Sequence, residues 1–178
     1  LQYDPSPKGM IQAREAVAGY YTGKGISVSP EQIFLTAGTS EAYTFLFRLL
    51  CDPQDHFLVP RPSYPLFDYL ATLNDVVLNS YFLKYRGKWK MDEESFIKAI
   101  SSKTKGVIVV NPNNPTGTFL KQQELDSLNR IGQEKKISLI SDEVFLDYAF
   151  PGSKGWVKSC ADNQDMLTFT LSGISKIL

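Results

Sequence analysis

Five polar groups in this 178-residue sequence stand at or just beyond the ends of short apolar runs, and their types suggest one piece of chemistry. Lys176 follows Leu167-Thr168-Phe169-Thr170-Leu171 and the small residues Ser172-Gly173-Ile174-Ser175. A lysine packed closely at a strand end loses hydration, and its amine becomes a nucleophile. Asp142 follows Ile137-Ser138-Leu139-Ile140-Ser141, where a desolvated carboxylate answers a positive charge. Asn111-Pro112-Asn113-Asn114-Pro115-Thr116-Gly117 follows Gly106-Val107-Ile108-Val109-Val110, a β-branched run suited to a buried parallel strand. Two prolines stop that strand and leave a stiff loop with its amides fixed in place.

The other two groups complete a ligand. Gly38-Thr39-Ser40 lies between a strand and a helix start, so N–H groups and hydroxyls gather where the helix dipole favours an anion. The pattern is neither GxGxxG nor a Walker motif, so it does not imply a nucleotide. Tyr64, with Pro62 and Pro65 close on either side, has few ring orientations and makes a stacking plate. Each residue also has an ordinary use: a turn Asn, a helix cap, a half-buried Tyr, a solvated Lys. As a set they fit a planar aldehyde with a phosphate tail and a ring nitrogen, a description that pyridoxal 5′-phosphate meets.

The elements that position these groups alternate along the chain. Helical patterns cover residues 10–21, 41–50, 66–73, 92–100 and 122–134, the last with Leu125, Leu128 and Ile131 inward. Asp92 stands where the fourth of these helices takes its N-cap. Strands are expected at 32–35, 56–59, within 76–83, at 106–110, 137–140 and 167–171, with 84–89 a polar connection containing Trp89. Six strands separated mostly by helices imply an α/β fold with a largely parallel, doubly wound sheet whose carboxyl edge carries the ligand.

Composition narrows the partners. Lys plus Arg and Asp plus Glu both number 19, so charge supplies no reason to expect nucleic acid or an anionic membrane. No apolar run is long enough to span a bilayer. Cys51 and Cys160 have no metal-like spacing and read as free thiols suited to a reduced, cytoplasmic compartment. His56, the one histidine, reads as structural, and Arg14, beside Glu15, as a solvated charge.

The ordered set of motifs resembles the class I/II aminotransferases, the fold type I pyridoxal-phosphate enzymes, over essentially the whole chain. Asn111 through Gly117 is similar to the family's Asn-Pro-Thr-Gly loop, and Gly173-Ile174-Ser175-Lys176 to its lysine signature. The resemblance implies a three-layer α/β large domain, doubly wound and truncated at the C-terminus. Residues 1–178 would be part of that cofactor-binding domain, with the small domain and the region after the lysine absent. It implies that Lys176 is catalytic, joined to the cofactor aldehyde and moving a proton at the substrate's α-carbon. Asp142 would pair with the ring nitrogen, Asn114 would donate to the phenolic oxygen, and Tyr64 would stack on the ring. Gly38, Thr39 and Ser40 would hold the phosphate. Tyr3 would reach the phosphate of a neighbouring subunit, which implies a homodimer with shared active sites.

Two positions depart from the family pattern. Phe145 stands where a tyrosine commonly touches the phenolic oxygen, with Tyr148 as the nearby substitute; Gly173 stands where many members have a phosphate-binding serine, a role open to Ser172 or Ser175. The expected activity is amino transfer between an amino acid and a 2-oxo acid. The alternatives are a C–S lyase or decarboxylase using the same cofactor, or a non-catalytic effector-binding module of a transcription regulator. In the family, the phosphate- and substrate-binding arginines follow the lysine, as does a strand that inserts between the first strand and the last one here, so this piece is expected to have a gap in its sheet. This piece alone is therefore expected to have an unpaired sheet edge and to be unstable and inactive.

Overall fold

In the computed structural model, which describes residues 5–150 and 155–177, the apolar runs form a six-stranded sheet. The helices are α1 (Ile11–Gly23), α2 (Thr39–Leu50), α3 (Leu66–Leu73), α4 (Glu93–Ala99) and α5 (Gln122–Lys135). The strands are β1 (His56–Arg61), β2 (Val77–Tyr85), β3 (Trp89–Met91), β4 (Thr104–Val110), β5 (Ser138–Asp142) and β6 (Thr168–Leu171). Their order across the sheet is β3-β2-β1-β4-β5-β6, parallel throughout except for the antiparallel β2–β3 pair.

Both faces of the sheet are covered, which is why the middles of its central strands are runs of apolar residues rather than alternating ones. Leu58, Val107, Val109 and Leu139 pack with Phe96 of α4 and Leu125, Leu128 and Ile131 of α5. Phe57, Val59, Ile108, Val110 and Ile140 point the other way, onto Tyr43, Leu46 and Phe47 of α2 and Phe67, Leu70 and Ala71 of α3. The three-layer, doubly wound expectation holds. Glu124, in the first turn of α5, receives the N–H groups of Lys121 and Met91 on its two carboxylate oxygens, so one side chain caps the helix and ties β3 to it.

Four local expectations are corrected. Residues 32–35 are not a strand: a 3-10 turn covers Pro30–Gln32, and the N–H of Leu35 goes to the carbonyl of Lys8 rather than to a sheet neighbour. Without a ladder partner an extended segment is only extended. Trp89 opens β3 instead of lying in a polar connection, because its segment pairs back on β2 opposite Tyr85. Arg14 is buried, not solvated: its guanidinium donates to the carbonyls of Gly9 and Pro30 and to Glu31, enough acceptors to replace water. Asp92 does occupy the N-cap of α4, but its carboxylate pairs with Lys84 at 2.7 Å instead of capping. His56 is structural as expected, its Nδ1 meeting Asn79 and Ser101 at 3.0 and 2.8 Å. Cys51 and Cys160 are free.

Gly106 shows how tightly the central strands approach. It lies in register with Phe57 on one side and Ser138 on the other, and a Cβ there would come within 2.4 Å of the Phe57 ring and 2.6 Å of the Ser138 hydroxyl. Phe57 is fully buried and has nowhere to move. Gly106→Ala should therefore destabilise the intact protein by about 1–3 kcal/mol, read as a lower urea midpoint with an unchanged m-value.

Candidate functional site

The carboxyl ends of β1, β4, β5 and β6 lie along one edge; β1, β4 and β6 each release a loop bearing one of the singled-out groups, and β5 carries its own at its last residue. Asp142 is itself the last residue of β5, paired in register with Val110 of β4 and Leu171 of β6, so its backbone is held from both sides. The strand was expected to stop two residues earlier. The extra ladder bonds aim the carboxylate from a rigid strand rather than from a loop.

Asp142 is partly buried and has no cationic partner among the described residues. Its Oδ2 accepts the hydroxyl of Tyr43 at 2.9 Å, and its Oδ1 accepts the N–H of Val144 at 3.3 Å. Desolvation raises its pKa above the ordinary carboxylate value, although both hydrogen bonds work to lower it. A carboxylate in this condition is complementary to a cationic N–H donor.

Tyr43 belongs to α2, the helix whose first turn carries Gly38, Thr39 and Ser40. Gly38 is the N-cap, Thr39 and Ser40 begin the helix, and a Cβ on Gly38 would meet nothing within 4 Å. The N–H groups of Gly38, Thr39 and Ser40 find no acceptor among the described residues, while that of Ala37 goes to Glu41. The turn is thus an open set of donors at the positive end of a helix dipole.

On the β1 side, Tyr64 is 47% exposed and stands edge-on to Phe67, whose ring in turn meets Tyr43 at 5.2 Å. On the β4 side, the Asn111 and Asn113 amides are spent on structure. Asn111 bridges Leu120 and Val157, while Asn113 bonds Thr116 and the carbonyl of Pro62. Asn114 is partly exposed, and its amide makes no hydrogen bond among the described residues. Of the three asparagines in the motif, it alone is left for a ligand.

After β6 the chain turns through a 3-10 segment at Ile174–Lys176. Lys176 is exposed rather than closely packed and desolvated as expected, because the 3-10 segment carries it beyond the strand end, with its ammonium 5.9 Å from the centre of the Phe145 ring. Tyr148 packs edge-on against that ring and is itself 60% exposed. Ser172 and Ser175 are both exposed, with hydroxyls free of hydrogen bonds among the described residues. Tyr3 lies outside the described residues.

These placements fit a planar ring with a phosphate tail. An anion would meet the open first turn of α2, a cationic ring nitrogen would meet Asp142, and a ring oxygen would meet the unspent Asn114 amide. Sequence reasoning missed two residues here. Tyr43 sits one helical turn beyond the anion turn on a core-facing position, and nothing local distinguishes it from an ordinary core tyrosine. Glu143 is only 1% exposed, and its carboxyl accepts the hydroxyls of Ser141 and Ser159 and the N–H of Cys160 at 2.6–2.8 Å. A charged residue beside Asp142 was visible, but its burial depended on a segment that returns from sixteen residues away.

Burial pushes the Glu143 carboxyl up from 4.5 to about 7. Between those values the native state holds a proton that the unfolded chain has released, so this group's contribution to stability falls as pH rises through the window. Glu143→Gln should flatten the dependence of the urea midpoint on pH between about 4.5 and 7, as measured by denaturation at a series of pH values. An undiminished slope in the variant would assign it to other groups.

Comparison with known proteins places this geometry. Residues 4–178 match the family Aminotransferase class I and II. The chain is 30% identical over 170 residues to a glutamate-pyruvate aminotransferase of Haemophilus influenzae, covering 95% of this chain and 42% of that protein. It is 31% identical over 169 residues to an S-alkyl-thiohydroximate lyase of Arabidopsis thaliana, covering 94% and 36%. Among solved structures, an alanine aminotransferase from Pyrococcus furiosus superposes with a TM-score of 0.86 at 29% identity, over 97% of this chain and 44% of the other. The chain thus spans less than half the length of these relatives. With the family match running over nearly every residue and the fold shared at this level, the chain belongs to the class I and II aminotransferases.

Proposed function

We propose that the protein containing this chain is an aminotransferase that binds pyridoxal 5′-phosphate at the carboxyl edge of the sheet and moves an amino group between an amino acid and a 2-oxo acid. One observation carries the reading. At one end of one sheet stand a desolvated carboxylate and, among the described residues, no cation for it, an unspent amide, an open helix N-terminus and a lysine.

When bound, the cofactor supplies an electron-withdrawing ring that stabilises negative charge at the substrate's α-carbon. The residues of the chain do the rest. Lys176 is the attachment point and the base that takes the α-proton. Asp142 holds positive charge on the ring nitrogen, Asn114 donates to the ring oxygen, and Tyr64 covers one ring face. Gly38, Thr39 and Ser40 receive the phosphate, assisted by the hydroxyl of Ser172 or Ser175. Tyr3 serves the site of a second subunit, so the working form is a homodimer. The free thiols of Cys51 and Cys160 suit the cytoplasm.

A second reading, a C–S lyase acting through the same cofactor, is supported by the Arabidopsis relative. The two share every residue role above and differ in which substrate bond breaks.

The test begins with the intact protein as purified. Its visible absorption is recorded, the protein is reduced with borohydride, and the modified peptide is mapped. A yellow protein modified at Lys176 is expected, with Lys176→Ala colourless on reduction and washing. A protein that stays colourless and unmodified with added pyridoxal 5′-phosphate would end the reading. Release of a thiol and ammonia, together with pyruvate, from a cysteine conjugate in the absence of any 2-oxo acid acceptor would select the lyase. Phe145 adds a prediction of its own: restoring the hydroxyl in Phe145→Tyr adds a hydrogen bond to the ionised ring oxygen. The pH at which the bound chromophore changes colour should then fall by about one unit. Identical spectrophotometric titrations of the two proteins would show that the ring at this position does not face that oxygen.

A further inference from the structure

The cofactor reading leaves Tyr43 without a role, yet it contacts Asp142 directly and reaches Tyr64 through Phe67. Its hydroxyl is 2.9 Å from Oδ2 of Asp142, and its side chain is 2% exposed. Its ring meets the Phe67 ring edge-on at 5.2 Å, and Phe67 meets Tyr64 edge-on at 6.4 Å. It stands on α2, three residues after Ser40, about one turn from the open N–H groups.

A single rigid helix thus reaches three of the proposed contacts: the phosphate turn directly, the ring-nitrogen partner by a hydrogen bond, and the stacking ring through one intermediate aromatic. Asp142 could rotate about its side-chain torsions if only the Val144 N–H held it. The second hydrogen bond, from a side chain locked in the core, leaves one orientation.

Resting on the cofactor reading above, we propose that Tyr43 is a positioning residue of this site. Its hydroxyl aims Asp142 at the ring nitrogen, and its ring, through Phe67, sets the plane of Tyr64. Tyr43 touches neither cofactor nor substrate and acts only through these two residues. The hydroxyl also favours the ionised form of Asp142, the form that a cationic ring needs.

The test separates this role from ordinary core packing by using two ligands, pyridoxal 5′-phosphate and its 1-deaza analogue, in which a C–H replaces the ring nitrogen. Equilibrium binding of each to the cofactor-free intact protein is measured by fluorescence. Tyr43→Phe keeps the ring and the volume, so the cofactor-free melting temperature checks that the fold survives. It should weaken binding of pyridoxal 5′-phosphate about tenfold, the effect of losing a hydrogen bond to a charged group, and leave the deaza analogue unchanged. Tyr43→Leu, which also removes the ring from Phe67, should weaken both ligands.

Equal weakening of both ligands by Tyr43→Phe would make Tyr43 a packing residue and overturn the proposal. So would binding of both at the parent's affinity. A Tyr43→Leu protein that binds the deaza analogue as well as Tyr43→Phe does would remove the aromatic relay. If the unsubstituted protein binds neither ligand, the cofactor reading itself fails and the proposal goes with it. If it binds pyridoxal 5′-phosphate but Tyr43→Phe affects the two ligands equally, the cofactor reading stands and this inference does not.

Discussion

A negative charge at the end of β5 is the constraint on which the rest of this sheet edge turns. Removing a carboxylate from water costs several kcal/mol unless something replaces the lost solvation. Around Asp142 the replacement is partial: one tyrosine hydroxyl and one backbone N–H, with no cation among the described residues. The fold can hold this arrangement because Asp142 belongs to the β-ladder itself, fixed by neighbours on both sides. The molecule carries a site that is electrostatically incomplete by itself, and that incompleteness is what a cationic ligand would relieve.

The loops around it are stiffened so that this charge faces a defined space. Asn111 and Asn113 spend their amides on Leu120, Val157, Thr116 and Pro62, which stitches the loop after β4 to the loop after β1 and to the returning segment near residue 157. Glu143 does the same work one residue beyond Asp142, gripping Ser159 and Cys160. Two carboxyl groups adjacent in sequence therefore have opposite fates. Glu143 is enclosed with three donors, and its burial outweighs them and favours the neutral form, whereas Asp142 stays partly exposed at the sheet edge. Their difference comes from the returning segment at Ser159 and Cys160, which covers Glu143 and leaves Asp142 partly exposed.

α2 contributes at both its ends of influence. Its first turn presents unbonded N–H groups, and its core face supplies Tyr43 and, through the aromatic contacts, support for Tyr64. A helix is a suitable ruler for such a task because its rise per residue is fixed by backbone hydrogen bonds and does not adjust to side-chain changes. The same helix buries Tyr43, Leu46 and Phe47 against the sheet, so the spacing of the site is anchored in the core rather than in a loop.

Most of the architecture was legible in the sequence, for a local reason. The short, β-branched apolar runs at 57–59, 106–110 and 137–140 suit strands covered on both faces, and the turn chemistry after them marked one edge. Asn114, Asp142, Gly38 and Lys176 could be singled out because their neighbours in sequence are also what constrains them. What local pattern could not decide was anything that depends on a partner distant in the chain. Residues 32–35 have strand-like composition, but pairing is a property of two segments, and the N–H of Leu35 finds Lys8 instead. Arg14 looked solvated because its acceptors come from Gly9, Pro30 and Glu31 across a turn. Tyr43 and Glu143 owe their positions to strands and segments that meet them only once the sheet is assembled. The sequence by itself determined the helices and five of the six strands, their alternation and the chemical types gathered at the edge. Only the tertiary structure decided which polar groups were consumed in holding that edge together and which were left free, because hydrogen-bond satisfaction is settled by three-dimensional proximity and not by order along the chain.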